Sequence, residues 1–128
     1  MVHPNEELVR SAFDAFAKGD VDTLRGSMDQ DAVWYVPGPN QPSGDHRGVD
    51  AILGFFGKTM ELSAGTFRME VHDVVNDDHA VALFGSRAER EDRTYENRNV
   101  LVIHIRDGKL VETWLMSQDQ DAADEFFA

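Results

Sequence analysis

The tetrapeptide Arg106-Asp107-Gly108-Lys109 constrains this chain more than any other stretch. Asp-Gly is the preferred centre of a two-residue type I′ turn, because both central residues must take positive φ and the twist then matches antiparallel strands. The segments on either side are therefore expected to pair, with a register that can be written outward from the turn. Arg106 faces Lys109, which predicts Ile103 opposite Glu112, Leu101 opposite Trp114 and Asn99 opposite Met116. One face then carries Asn97, Asn99, Leu101, Ile103, Leu110, Glu112, Trp114 and Met116. The other carries Arg98, Val100, Val102, His104, Val111, Thr113 and Leu115. Both faces are largely apolar, whereas an antiparallel sheet with one wet face alternates cleanly. Each side must be covered. Helices can cover one, and a second copy of the chain is expected on the other, giving a homodimer.

Upstream, the period changes from helical to extended. Asn5 can cap a first helix whose stripe is Val9, Ala12, Phe13 and Phe16. Gly19-Asp20 ends it and opens a short second one over Val21, Leu24 and Met28. Residues 32–36 predict a strand, and 49–60 a helix with Ile52, Phe56 and Met60 on one face. From Phe67 the alternation is that of strands, with turns at Asn76-Asp77-Asp78 and Glu91-Asp92-Arg93. Ser117 with Gln120 has the spacing of a capping box before a last helical turn through Phe126-Phe127. Helices first and a meander second give an α+β fold, a curved antiparallel sheet wrapped around N-terminal helices, as one domain over residues 1–128.

Composition matters chiefly for what it excludes. With 24 acidic against 12 basic side chains the formal charge is −12, which opposes nucleic acid and anionic lipid, whose affinity comes from Lys and Arg. No apolar run approaches the roughly 18 residues of a membrane span. The opening MVHPNEEL lacks the basic and apolar regions of a signal peptide, so a cytoplasmic location is expected. There is no cysteine, and the five histidines lack metal-ligand spacing. Nucleophile-elbow, phosphate-loop and dinucleotide motifs are missing too, so no cofactor or metal is expected.

Polar residues in apolar company mark the candidate site. Trp114 and Met116 beside Asn97, Asn99 and Glu112 have the make-up of an apolar hollow with a few convergent polar groups, the requirement for a small-molecule pocket. The same amides can simply tie down strand ends, and Glu112 can pair with a surface base. Asp73 falls in phase with Phe67, Met69, Val71 and Val75. It is either a buried base or the product of a bulge before the following turn. His46 lies between Asp45 and Arg47, where it is either a carboxylate-held general base or a solvated loop histidine. His3, His72 and His79 are expected in solvent, and His104 in the interface. The stretch WYVPGPNQPSGDHRG, residues 34–48, suits the lip of an opening, with Trp34 or Tyr35 contributing to the wall.

Four segments in order, AFAKGDVDTL, DAVWYVPG, GDHRGVDAILGFF and NRNVLVIHIRDGKLVETW, resemble the nuclear transport factor 2-like superfamily in its SnoaL-like and ketosteroid-isomerase-like branch. The resemblance implies a cone-shaped α+β barrel with an internal apolar pocket, commonly homodimeric. It hosts isomerases, cyclases, epoxide hydrolases, dehydratases and non-enzymatic binders. Val36, before Pro37, stands where the isomerase base is expected, Ala12 and Phe13 where its tyrosine is expected, and Met116 where epoxide hydrolases place an acid. The expectation is thus a pocket for an apolar, polyketide- or steroid-like molecule. Either it works by cofactor-free acid–base chemistry through His46, Asp73 or Glu112, or it is a non-catalytic binding or dimerisation module.

Overall fold

The computed structural model describes residues 3–76 and 79–128. Their elements are α1 (Pro4–Lys18), α2 (Val21–Gly26), β1 (Met28–Val36), β2 (Gly44–Arg47), α3 (Val49–Leu62), β3 (Arg68–Asn76), β4 (His79–Arg90), β5 (Arg93–Arg106), β6 (Lys109–Ser117) and α4 (Gln120–Phe126). The expected turn at Asn76-Asp77-Asp78 lies partly outside the described residues. The fold is the expected α+β type. No described helix is long and apolar enough to cross a membrane.

One sheet has the order β2-β1-β6-β5-β4-β3. β1 and β6 run parallel, so the sheet is mixed rather than wholly antiparallel. β1 starts beside the β5–β6 turn, where the Leu110 N–H donates to the Ser27 carbonyl at 2.9 Å. Asp107 and Gly108 take φ of 54° and 72°, the left-handed pair that a type I′ turn requires. β2 was hidden in the Pro/Gly-rich stretch: Gly44 to Arg47 pair antiparallel with Val36 to Val33. Two caps also differ from expectation. His3 Nδ1 accepts from the Asn5 N–H at 3.0 Å and caps α1. Asp119, rather than Ser117, caps α4 by accepting from the Ala122 N–H.

Two bulges decide which side chains face inward. Arg106 pairs with Lys109 and Ile105 with Leu110, but the next pair is His104 with Glu112, leaving Val111 as an extra residue. Beyond it the register reads Ile103–Thr113, Leu101–Leu115 and Asn99–Ser117. The expected pairs Ile103–Glu112, Leu101–Trp114 and Asn99–Met116 are therefore corrected. One inserted residue reverses every later side chain between the faces, so Glu112, Trp114 and Met116 share the face of Val100, Val102 and His104. In β3, His72 is the extra residue between the pairs Val71–Phe84 and Asp73–Leu83. That bulge turns Asp73 out to an exposed position, where its Oδ1 accepts from the Val74 N–H at 2.9 Å. Of the two readings of Asp73, the bulge holds.

The inner face curves around α1 and α3. β4 shows why: Ala80, Ala82, Phe84, Ser86 and Ala88 are buried while the residues between them are not. Val9 of α1, Ile52 of α3 and Ile103 of β5 are at most 2% exposed and join one core. A second cluster closes the α4 end, where Tyr95 stacks on Phe126 at 5.1 Å and meets Phe127 at 5.5 Å.

Candidate functional site

Between helices and sheet lies a cavity of about 120 Å³. Phe13 and Phe16 of α1, Phe55 and Phe56 of α3, Trp34 of β1, and Phe84, Leu101 and Ile103 of the central strands build its apolar wall. The rings lock one another edge-on, Phe13 against Phe84 at 5.1 Å and Trp34 against Phe56 at 5.1 Å. Trp34 Nε1 is the buried side-chain polar atom left without a hydrogen-bond partner among the described residues. Of Trp34 and Tyr35, Trp34 lines the cavity and contributes ring surface to its wall.

The Pro/Gly stretch is one rim of this cavity, through Pro37, Asn40 and Pro42. Its far side rests on α4. Asp124 Oδ1 accepts from Asn40 Nδ2 and from Gln120 Nε2, each at 2.8 Å, and the Gln41 N–H donates to the Phe127 carbonyl at 3.1 Å. Gly38 permits this approach, because its φ is 92° and a Cβ there would run into the Asp124 and Gln120 side chains. His46 sits behind the rim in β2. Its ring stacks on Phe55 at 4.7 Å and Nε2 lies 2.7 Å from the Pro42 carbonyl oxygen. Both of those neighbours line the cavity, while His46 itself does not. Its geometry is that of a support for the wall.

At the α4 end polar residues join a lining whose surface stays almost wholly apolar. Ser86, Tyr95, Asn99 and Ser117 all line the cavity there. Asn99 Nδ2 donates to Ser86 Oγ at 2.8 Å, and Ser117 Oγ donates to Asn99 Oδ1 at 2.9 Å. Asn97 Nδ2 donates to Tyr95 Oη at 3.0 Å and to the Asp119 carbonyl at 2.9 Å. Its Oδ1 accepts from the Arg98 and Asp119 N–H groups at 3.0 and 3.1 Å. Asn97 is thus fully engaged, tying β5 to the start of α4 and steadying Tyr95. Asn99 lines the cavity, while Asn97 ties the strand to α4.

Tyr95, Ser86 and Ser117 escaped the sequence reading. Tyr95 could have been found from its period-two phase with Asn97, Asn99 and Leu101, whereas Ser117 needed the bulge to face inward. Burial raises the Tyr95 hydroxyl above its ordinary value, partly opposed by hydrogen bonds from Asn97, Ser86 and Ser117. It therefore stays protonated where a free tyrosine begins to ionise. The sign follows: the unfolded chain loses this proton first, so the native state loses stability as pH rises above about 10. Tyr95→Phe is expected to flatten that alkaline loss in urea titrations between about pH 9 and 11. An unchanged slope would show that the proton is released equally easily in both states.

Glu112, Trp114, Met116 and Tyr35 lie on the opposite face of the sheet. The Tyr35 and Trp114 rings stack at 5.4 Å and 13°. Burial first, and then its 3.2 Å hydrogen bond to Glu112 Oε2, raise the Tyr35 hydroxyl. Glu112 Oε1 is 3.6 Å from His104 Nδ1, and His104 stacks on His79 at 4.9 Å. With Val102 and Pro37, the tyrosine, tryptophan and Met116 border a shallow outer groove. Met116 is 47% and Leu83 40% exposed, so this face is apolar and only partly covered within one chain.

A family model described as a SnoaL-like domain matches residues 9–113. The structure of Bal32a from a soil-derived mobile gene cassette is 31% identical, covers 98% of this chain and 97% of that one, and superposes with a TM-score of 0.94. A Xanthomonas campestris protein of unknown function with a cystatin-like fold is 32% identical over 95% of this chain and 96% of that one, with a TM-score of 0.89. An uncharacterized protein of Mycobacterium tuberculosis is 29% identical over 124 residues, 95% of each chain.

Proposed function

This chain belongs to the SnoaL-like family, and we propose that its cavity receives one small apolar molecule by binding rather than by proton transfer. The observation that carries this reading is the wall itself. It is aromatic and aliphatic, broken by neutral hydrogen-bonding groups, and Tyr95 is the titratable side chain that lines it among the described residues. Acid–base chemistry of the cyclase or isomerase kind needs a group that exchanges protons near working pH. Tyr95, held above its ordinary range, remains a donor. His46, Asp73 and Glu112 stand outside the lining, which favours the non-catalytic reading over the acid–base one.

Size narrows the occupant. Pockets for drug-sized ligands span roughly 300–1,000 Å³, and a void of about 150 Å³ takes up benzene. A cavity of about 120 Å³ suits one ring in place of a steroid or polycyclic frame. On the outer face, a second copy of the chain covers Tyr35, Trp114 and Met116, which makes the working unit a homodimer.

Toluene is the first probe. Added in excess, it is expected to raise the melting temperature, since a ligand at a hundred times its Kd stabilises by about 2.7 kcal/mol. Ala12→Trp or Leu115→Phe, each filling the cavity from a different wall, should remove that rise, while Trp114→Ala should retain it. No rise with the native chain, or a full rise in both filled variants, would overturn the reading.

A further inference from the structure

We propose that the ligand carries a single neutral acceptor oxygen, a ketone or ether on one ring, docked against the Tyr95–Ser86–Asn99–Ser117 end of the cavity. This inference rests on the pocket reading and sharpens it. The four side chains belong to three strands, yet they converge because Asn99 faces Ser117 directly and Ser86, opposite Asn97, is its diagonal neighbour on the inner face. All but Ser117 are at most 7% exposed, so bulk water does not compete freely for them.

Their hydrogen-bonding inventory sets the polarity of the partner. The donated protons accounted for are one from Asn97 to Tyr95, one from Asn99 to Ser86 and one from Ser117 to Asn99. The Ser86 hydroxyl is turned to Tyr95, which leaves the Tyr95 hydroxyl and the second Asn99 amide proton as the further donors at the same end. Donors gathered on a wall call for an acceptor. An acceptor oxygen from the ligand takes one of these bonds in a site where a lost partner is costly.

Charge sets the second limit. A carboxylate would enter without a cation to meet it, since no Lys, Arg or His lines the cavity among the described residues. The whole chain also carries −12, and an unpaired buried charge is heavily penalised. The oxygen is therefore neutral. The ring itself is held by Phe13, Phe56, Phe84 and Trp34 at the apolar end.

Three probes of nearly equal shape test this by titration calorimetry: acetophenone, isopropylbenzene and benzoate. Acetophenone is expected to bind about tenfold more tightly than isopropylbenzene, the worth of one net hydrogen bond in a dry site. Benzoate should be the weakest of the three. Tyr95→Phe should bring acetophenone to within about twofold of isopropylbenzene, with isopropylbenzene itself unchanged, which also shows that the variant folds. The carbonyl stretch of bound acetophenone should shift to lower frequency in the native chain and return in Tyr95→Phe. Equal affinities for acetophenone and isopropylbenzene in the native chain would overturn this inference while leaving the pocket intact. So would benzoate binding as well as the ketone. Failure of both neutral probes to bind would overturn the pocket reading as well.

Discussion

Truncating Ile103 to alanine is expected to destabilise the fold by about 2–5 kcal/mol, the range for a large aliphatic side chain removed from a packed core. Ile103 is 2% exposed and belongs to the main core cluster, so its lost methyl and methylene groups have no water to return to. It also borders a space that is already empty, which limits how far the neighbours can relax into the gap. The void should therefore extend the existing cavity. Urea denaturation should show a lower midpoint with an unchanged slope. Val21→Ala, at a position 50% exposed, should change the stability by less than about 0.5 kcal/mol. The enlarged cavity should also bind a longer alkylbenzene than the native chain does, and that ligand should restore part of the lost stability. A small loss from Ile103→Ala would mean that the inner face packs less tightly than its burial indicates.

Replacing Trp114 by aspartate is expected to split the proposed homodimer, with the native chain running at twice the monomer mass and the variant at the monomer mass in light scattering. Tyr35 and Trp114 form a stacked pair on the outer face, flanked by Val102 and the exposed Met116. Large exposed apolar patches mark interfaces, and a two-fold axis would bring the same patch from both copies together. Charge works against this association, because each chain carries −12. Apolar burial must supply the driving force, and added salt should tighten the dimer by screening the repulsion. The aspartate removes a large ring and sets a carboxylate beside Glu112, so both terms turn unfavourable. A monomeric native chain at micromolar concentration, or an intact dimer in the variant, would overturn the assignment.

Elements were legible in the sequence because hydrophobic period and turn chemistry are local. Gly108 after Asp107 announced its hairpin, and the stripes of α1 and α3 declared themselves at helical spacing. Facing was less legible. One extra residue, Val111, exchanged the roles of the two sets of side chains on β6, and no local signal opposed the regular register because Trp114, Met116, Thr113 and Leu115 suit either face. The same insertion moved the expected pocket residues Trp114 and Met116 to the outer groove and brought Leu115 and Ser117 to the cavity. Trp34 and Asn99 line the cavity because the irregularity of β1 ends before Val33 and the extra residue of the β5–β6 pair lies on β6. β2 was concealed by its setting, since four residues among prolines and glycines carry too little alternation to read. His46 read as either a carboxylate-held base or a solvated loop histidine; in the fold its ring stacks on Phe55 and its Nε2 lies against the Pro42 carbonyl oxygen.

The parallel junction of β1 with β6 is the most distant strand pairing in sequence that this sheet makes. The β3–β6 meander grows through short turns, and each of its pairings closes a loop of modest length. Val33 must instead find Glu112 across most of the chain, and loop closure grows costlier by about 0.6 kcal/mol with each doubling of length. The enclosure is therefore expected to close late, when the first strand docks on the final one and brings the rim residues 37–43 to α4. Pairing residues so far apart in sequence is expected to slow folding relative to a meander of the same length, which stopped-flow refolding would check.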